Sequence, residues 1–383
     1  MVSVPAQQPA GRRLLRSALA AIAHVEPDSE TLAALLAAVP GDEITALVTP
    51  HALAPAAHVR LRALGTVIEG LADAHAAQVL RHLCVLAELE ALAGVLDGVG
   101  AQWAVFKGPV LAELVYERPD LREYHDLDVL VDRRALPDVL SALEAAGCTL
   151  VDRNWTMMDE EVRGEITLLL PYGTPLDLHW TLVNDGRTRS QLRLPVAEML
   201  QRSVRARMGS ADVPVLTPED RLINLGVHAT LAGGHQLKWI ADVDRVVRRD
   251  RPDLSVVAER CDGKPYRLMV GWQLDRARRV LDTPVPPEVR HRIAGGGGWA
   301  SVLQWAAPVR VDPEPARLSG QTLVRSTRGT AVSSLAELST EVRRYLRTRR
   351  TAPPAANPLH VARGGEAARR SYLARVAAPA GEP

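Results

Sequence analysis

Cysteine is scarce in this chain of 383 residues: there are three, Cys84, Cys148 and Cys261. A small, odd and widely spaced set excludes a disulfide framework and any paired thiolate metal motif. It suits a reducing compartment, and a cytoplasmic location is expected. No apolar run approaches the roughly 18 residues needed to cross a bilayer, so no membrane partner is expected. Aromatics are 4% of the chain, with Phe106 the single phenylalanine. That leaves little on which unpaired bases could stack, so RNA is not a favoured partner. Only three of the 46 basic residues are lysine: Lys107, Lys238 and Lys264. Net charge is +1, which argues against a protein dedicated to coating polyanions. What is present in quantity is hydrophobic residue, at 47%, enough for an ordinary globular core. The wealth of Ala, Arg, Pro and Gly is the composition of a GC-rich genome.

Texture divides the chain into four parts. Residues 1–98 read as an N-terminal helical region, with apolar positions three and four apart and prolines as punctuation. Arg12, Arg13 and Arg16 precede a short apolar stretch, as in a signal peptide. Leu14, Leu15, Ala18, Leu19 and Ile22 nevertheless share one helical face, so a helix is expected. Residues 99–186 form a small mixed-sheet α/β (α+β) core, with strands expected at 103–106, 127–131, 148–151, 166–170 and 175–182. Helices are expected at 110–116 and 135–146. Residues 187–310 return to helical texture, with Thr217-Pro218-Glu219-Asp220 a well-formed helix start. Residues 311–383 hold a further helical segment and a basic tail expected to be flexible: from 321 on there are 11 arginines and 4 acidic residues.

Chemistry concentrates between 107 and 182. Asp126 and Asp128 flank Leu127 on an apolar strand, so both carboxylates share one face. Carboxylates that close repel each other unless a cation lies between them, and Mg²⁺ (or Mn²⁺) is held by such oxygens together with substrate phosphates. The stretch Leu176-Asp177-Leu178-His179-Trp180-Thr181-Leu182 alternates strictly. Placed beside the first strand, it would bring Asp177 in as a third carboxylate, enough to hold two metal ions for an in-line displacement. Lys107-Gly108 falls between a strand and a helix, where a glycine admits a phosphate to the backbone and a lysine supplies a point charge. Arg122 is a second candidate phosphate ligand. His179 is a candidate base for the acceptor. Lys238 and Asp242 are four apart on a helix, the spacing of a surface ion pair. Histidines recur seven apart (His51/His58, His75/His82, His228/His235), which is not the spacing of a helical zinc pair and reads as structural.

These motifs occur in an order that resembles the uncharacterised bacterial nucleotidyltransferases of the DNA polymerase β superfamily. Lys107-Gly108, Tyr116, Arg122 and His125-Asp126-Leu127-Asp128-Val129-Leu130-Val131 match the family's KG…Y…R…DIDLLV pattern. Asp177-Leu178-His179-Trp180 matches its acidic-Leu-His-Trp strand. Leu216-Thr217-Pro218-Glu219-Asp220, His228 and Leu237-Lys238-Trp239-Ile240-Ala241-Asp242 match its helical signature. The resemblance covers about half the chain. It implies a metal-dependent enzyme that moves an NMP from an NTP to an unidentified acceptor, with Asp126, Asp128 and Asp177 as metal ligands. Lys107, Gly108, Arg122 and Lys238 would bind the nucleotide. The superfamily's commoner first motif is Gly-Ser; Lys107-Gly108-Pro109 stands in its place here. Two other readings accompany it: a nucleotide-binding scaffold without turnover, and a toxin-type enzyme that modifies tRNA.

Overall fold

The structure, a computed structural model, describes residues 9–294, 298–306, 309, 319–348 and 357–378. The glycine run before residue 298, residues 310–318 and parts of the basic tail lie outside the described residues. The chain divides into two bodies.

The first body is built on a seven-stranded mixed sheet and takes in 81–110, 125–217 and the chain after 347. Strand order is β3-β4-β5-β2-β1-β7-β6. β1 (Trp103–Phe106) and β2 (Leu127–Val131) run antiparallel in the middle, and every residue in both is buried. Such short apolar runs belong at a sheet centre, where both faces are covered. β5 (Pro175–His179) lies parallel to β2, and β4 (Glu165–Leu169) antiparallel to β5. β3 (Thr149–Leu150) closes that edge.

The opposite edge departs from the sequence reading. Residues 204–215, expected within helical texture, form a hairpin of β6 (Val204–Met208) and β7 (Ala211–Val215). β7 pairs parallel with β1. The alternation Val-Arg-Ala-Arg-Met, followed by a turn at Gly209 (φ +59°), is strand chemistry inside a helix-rich neighbourhood.

The tail also departs from expectation. Residues 357–378 are ordered, and the helix Gly365–Ala377 packs on the helices Leu136–Ala145 and Trp155–Glu161. Tyr372 is completely buried, its ring 6.0 Å from that of Trp155. Two of the arginines that made this stretch look solvated form ion pairs with the helices beneath, Arg369 with Glu144 and Arg375 with Asp159.

The second body is helical and takes in the chain up to Leu80, Leu111–Tyr124 and Pro218–Arg347. The N-terminal and C-terminal helices read as two regions thus belong to one unit. The helix Pro9–Ala23 packs on Leu237–Arg245, which in turn packs with Pro218–Leu231 on Arg267–Leu281. The crossing of the last two is close: a Cβ on Gly226 would lie 2.8 Å from Val270 Cα, so only glycine fits there. No described helix is long and apolar enough to cross a membrane.

Candidate active site

β1 ends at Phe106, and the next residue, Lys107, has φ +57°. The helix Gly108–Leu114 starts at the next residue. The left-handed residue of this turn is the lysine. A non-glycine residue there costs about 1–2 kcal/mol. This turn directs Lys107 Nζ to Asp128 Oδ1, at 2.9 Å.

Sheet register assembles the rest. Phe106 is opposite Asp128 across β1 and β2. Asp128 is opposite Asp177 across β2 and β5, so the two carboxylates are direct neighbours on adjacent strands. His179, two residues beyond Asp177, shares its face. Its Nε2 lies 3.0 Å from the same Asp128 Oδ1 that receives Lys107. Asp126 sits just before β2, half-buried, and its charge acts on both Lys107 and Asp177.

β4 completes the cluster with residues the sequence reading passed over. Thr167 is opposite Asp177 and donates its hydroxyl to Asp177 Oδ1 at 2.8 Å. Glu165 is opposite His179, with Oε2 3.4 Å from His179 Nδ1, and it accepts from the Asn184 amide. The signal for both was available: in Glu-Ile-Thr-Leu-Leu the polar residues alternate with Ile166 and Leu168, which are core.

The electrostatics follow from one ammonium facing four carboxylates. Burial alone would push Asp128 up, but Lys107 and His179 outweigh it and hold the carboxyl well below the usual range. Burial would likewise lower Lys107; Asp128, with Asp126 and Glu165, raises it instead. Asp177 has no such partner. Burial, then Asp128 and Asp126, push it up against His179 and the Thr167 hydrogen bond. Burial and the charge of Asp177 raise Glu165. This excess of negative charge is what a bound cation relieves. One ligand atom from each of Asp128, Asp177 and His179 lies within 4.8 Å of the others, so the side chains present fit a divalent ion.

The remaining candidates belong to the helical body. Arg122 is 5% exposed and grips Asp242 with both arms, Nε to Oδ1 at 2.9 Å and Nη2 to Oδ2 at 3.0 Å. Tyr116 donates its hydroxyl to Asp242 Oδ1 at 2.8 Å. Asp242 is fully buried, so the spacing of Lys238 and Asp242 does not describe a surface pair. Lys238 itself is half-buried on the helix Leu237–Arg245. The histidines serve packing: His58 stacks on His75 at 4.8 Å, His75 binds Asp120 at 2.7 Å, and His235 sits edge-on to Trp239.

A seven-stranded mixed α/β sheet with a carboxylate pair at adjacent strand positions defines the architecture, and sequence comparison supplies the family. The chain belongs to the uncharacterised nucleotidyltransferase family, whose sequence model matches residues 38–282. The crystal structure of an antigenic nucleotidyltransferase-like protein from Paracoccidioides brasiliensis is similar at 15% identity and a TM-score of 0.33, covering 52% of this chain and 93% of that one. No curated protein matches the chain.

Proposed function

We propose that this protein transfers an NMP from an NTP to an acceptor, with release of pyrophosphate, and that the transfer depends on a divalent metal. The observation that supports this most directly is the register of Asp128 against Asp177 on neighbouring parallel strands, with a lysine and a helix start at the end of the next strand. Asp128 and Asp177 hold Mg²⁺ or Mn²⁺, and Asp126 supplies a further carboxylate toward a second ion. Bound by these residues, a divalent cation would supply Lewis-acid chemistry to the α-phosphate and offset the charge that develops on pyrophosphate. Lys107 and the backbone at Gly108 receive the triphosphate: the ammonium is fixed at the mouth of the helix Gly108–Leu114 by its bond to Asp128. Thr167 fixes the Asp177 carboxylate through a hydrogen bond to Oδ1. Arg122 we assign to the fold, because both arms of its guanidinium are engaged by a buried carboxylate. Lys238 stays a candidate nucleotide contact, and Lys238→Ala tests it through KM. The acceptor is a small molecule, a peptide or protein, or an RNA end. The experiment is incubation with each α-labelled NTP, Mg²⁺ or Mn²⁺ and a host extract, with mass spectrometry of whatever gains a nucleotide. Transfer lost in Asp177→Asn is expected; transfer undiminished in that variant overturns the reading.

A further inference from the structure

The cation site proposed above has an imidazole built into it. His179 is 5% exposed, and its Nε2 lies 3.0 Å from Asp128 Oδ1, within the same 4.8 Å cluster as the Asp177 carboxylate. Its second nitrogen, Nδ1, is buried and makes no hydrogen bond, although Glu165 Oε2 is only 3.4 Å away. A buried imidazole nitrogen left without a bond is costly. The arrangement is explained if the ring exchanges its contacts on metal binding. A histidine that binds a metal presents a lone pair to it, and the ring proton then sits on the other nitrogen. Such histidines nearly always donate that proton to a carboxylate or carbonyl, which fixes the ring and strengthens the ligand. Glu165 stands where that acceptor is needed, held by Asn184 on its other oxygen. Edge-on packing against Phe106, with ring centroids 5.1 Å apart, leaves the His179 ring little room to turn.

We infer that His179 Nε2 is a direct ligand of the cation, with Glu165 as the outer carboxylate that orients it, and that this site therefore prefers first-row transition dications such as Mn²⁺ over Mg²⁺. The inference rests on the reading of Asp128 and Asp177 as a cation site. Mg²⁺ is a hard ion that takes oxygen ligands and keeps its waters. An imidazole adds nothing to Mg²⁺ affinity, whereas affinity for transition ions rises with nitrogen ligation. A site of carboxylates alone would discriminate less, so the third donor tilts the site toward transition dications.

The test is metal binding to the full chain without any turnover, using Mn²⁺ alone and Mg²⁺ alone in titration calorimetry. In the unaltered protein, pulsed EPR of bound Mn²⁺ is expected to show ¹⁴N coupling from one imidazole. His179→Gln is expected to remove that coupling and to weaken Mn²⁺ by about 10–100-fold, with Mg²⁺ changed by less than about threefold. Glu165→Gln should weaken Mn²⁺ by about tenfold while the ¹⁴N signal persists. Absence of ¹⁴N coupling in the unaltered protein overturns the inference, whatever the variants do. If Asp128→Asn abolishes binding of both ions while His179→Gln weakens neither, the inference is wrong and the cation site stands. If Asp128→Asn leaves both ions bound as before, the cation site itself is wrong and the inference falls with it.

Discussion

Arg122 separates two accounts of the same motif in one measurement. As a triphosphate ligand, its removal would cost nucleotide affinity and little stability. As placed in the fold, its removal leaves the fully buried Asp242 carboxylate without its guanidinium, though still bonded to the Tyr116 hydroxyl. Breaking a buried ion pair from one side costs about 3–5 kcal/mol, because the surviving charge stays desolvated. The two bonds from Arg122 engage one carboxylate oxygen each, the pattern of a bidentate pair, so the upper half of that range is expected. Tyr116→Phe removes one hydrogen bond to a charged acceptor and should cost about 1.5–3 kcal/mol. The double variant Arg122→Met/Asp242→Leu removes both charges at similar volume and should recover most of the loss. Urea unfolding of the nucleotide-free protein, followed by far-UV circular dichroism, reads all of these. If Arg122→Ala unfolds within 1 kcal/mol of the unaltered chain and loses nucleotide binding tenfold or more, the structural reasoning is refuted and Arg122 belongs to the triphosphate.

Three further outcomes follow from the same geometry. Asp128 titrates below its unfolded-state value, so the stability it contributes is present above about pH 4 and is lost as pH falls; Lys107→Ala should move the acid-unfolding midpoint to higher pH, and an unchanged midpoint contradicts the pairing. Asp177→Asn removes a carboxylate that burial and its acidic neighbours push up despite the Thr167 bond, so it should increase the melting temperature of the metal-free protein while transfer is lost; a lowered melting temperature with no metal present counts against the clustered charge. Tyr372→Ala empties a fully buried site in the C-terminal helix, where the hydroxyl donates to the Arg163 carbonyl at 2.7 Å and accepts from Trp180 Nε1 at 3.1 Å. A cost of about 3–5 kcal/mol is expected by denaturant unfolding, and a loss under 1 kcal/mol would mean that this helix is not docked.

The strands that carry the site were legible because each is short, apolar and bounded by turn residues, and because Leu176, Leu178 and Trp180 alternate with Asp177 and His179. From that alternation the meeting of Asp128 and Asp177 needed one further assumption, that the strands are neighbours, and the register supplies it. Glu165 escaped because a lone acid at the start of a strand looks like an edge residue until its neighbour is known. The pairing of Arg122 with Asp242 spans 120 positions, and nothing local announces it; from the sequence Arg122 reads as a phosphate ligand and Asp242 as half of a surface pair with Lys238. The C-terminal helix was hidden by composition: its arginines resemble a solvated tail, and only Tyr372 and Val376 betray a buried face. It lies outside the residues matched by the family, so no family pattern could have flagged it.

Nucleotidyl transfer itself is tested most directly by where the label goes. With the acceptor found in the extract experiment, the protein is incubated in parallel with α-labelled and γ-labelled NTP. Transfer of the α-label to the acceptor, release of the γ-label in pyrophosphate, and loss of both in Asp128→Asn are the predicted results. Transfer of the γ-label, or full α-label transfer by Asp128→Asn, would contradict the assignment of this carboxylate cluster to nucleotidyl transfer.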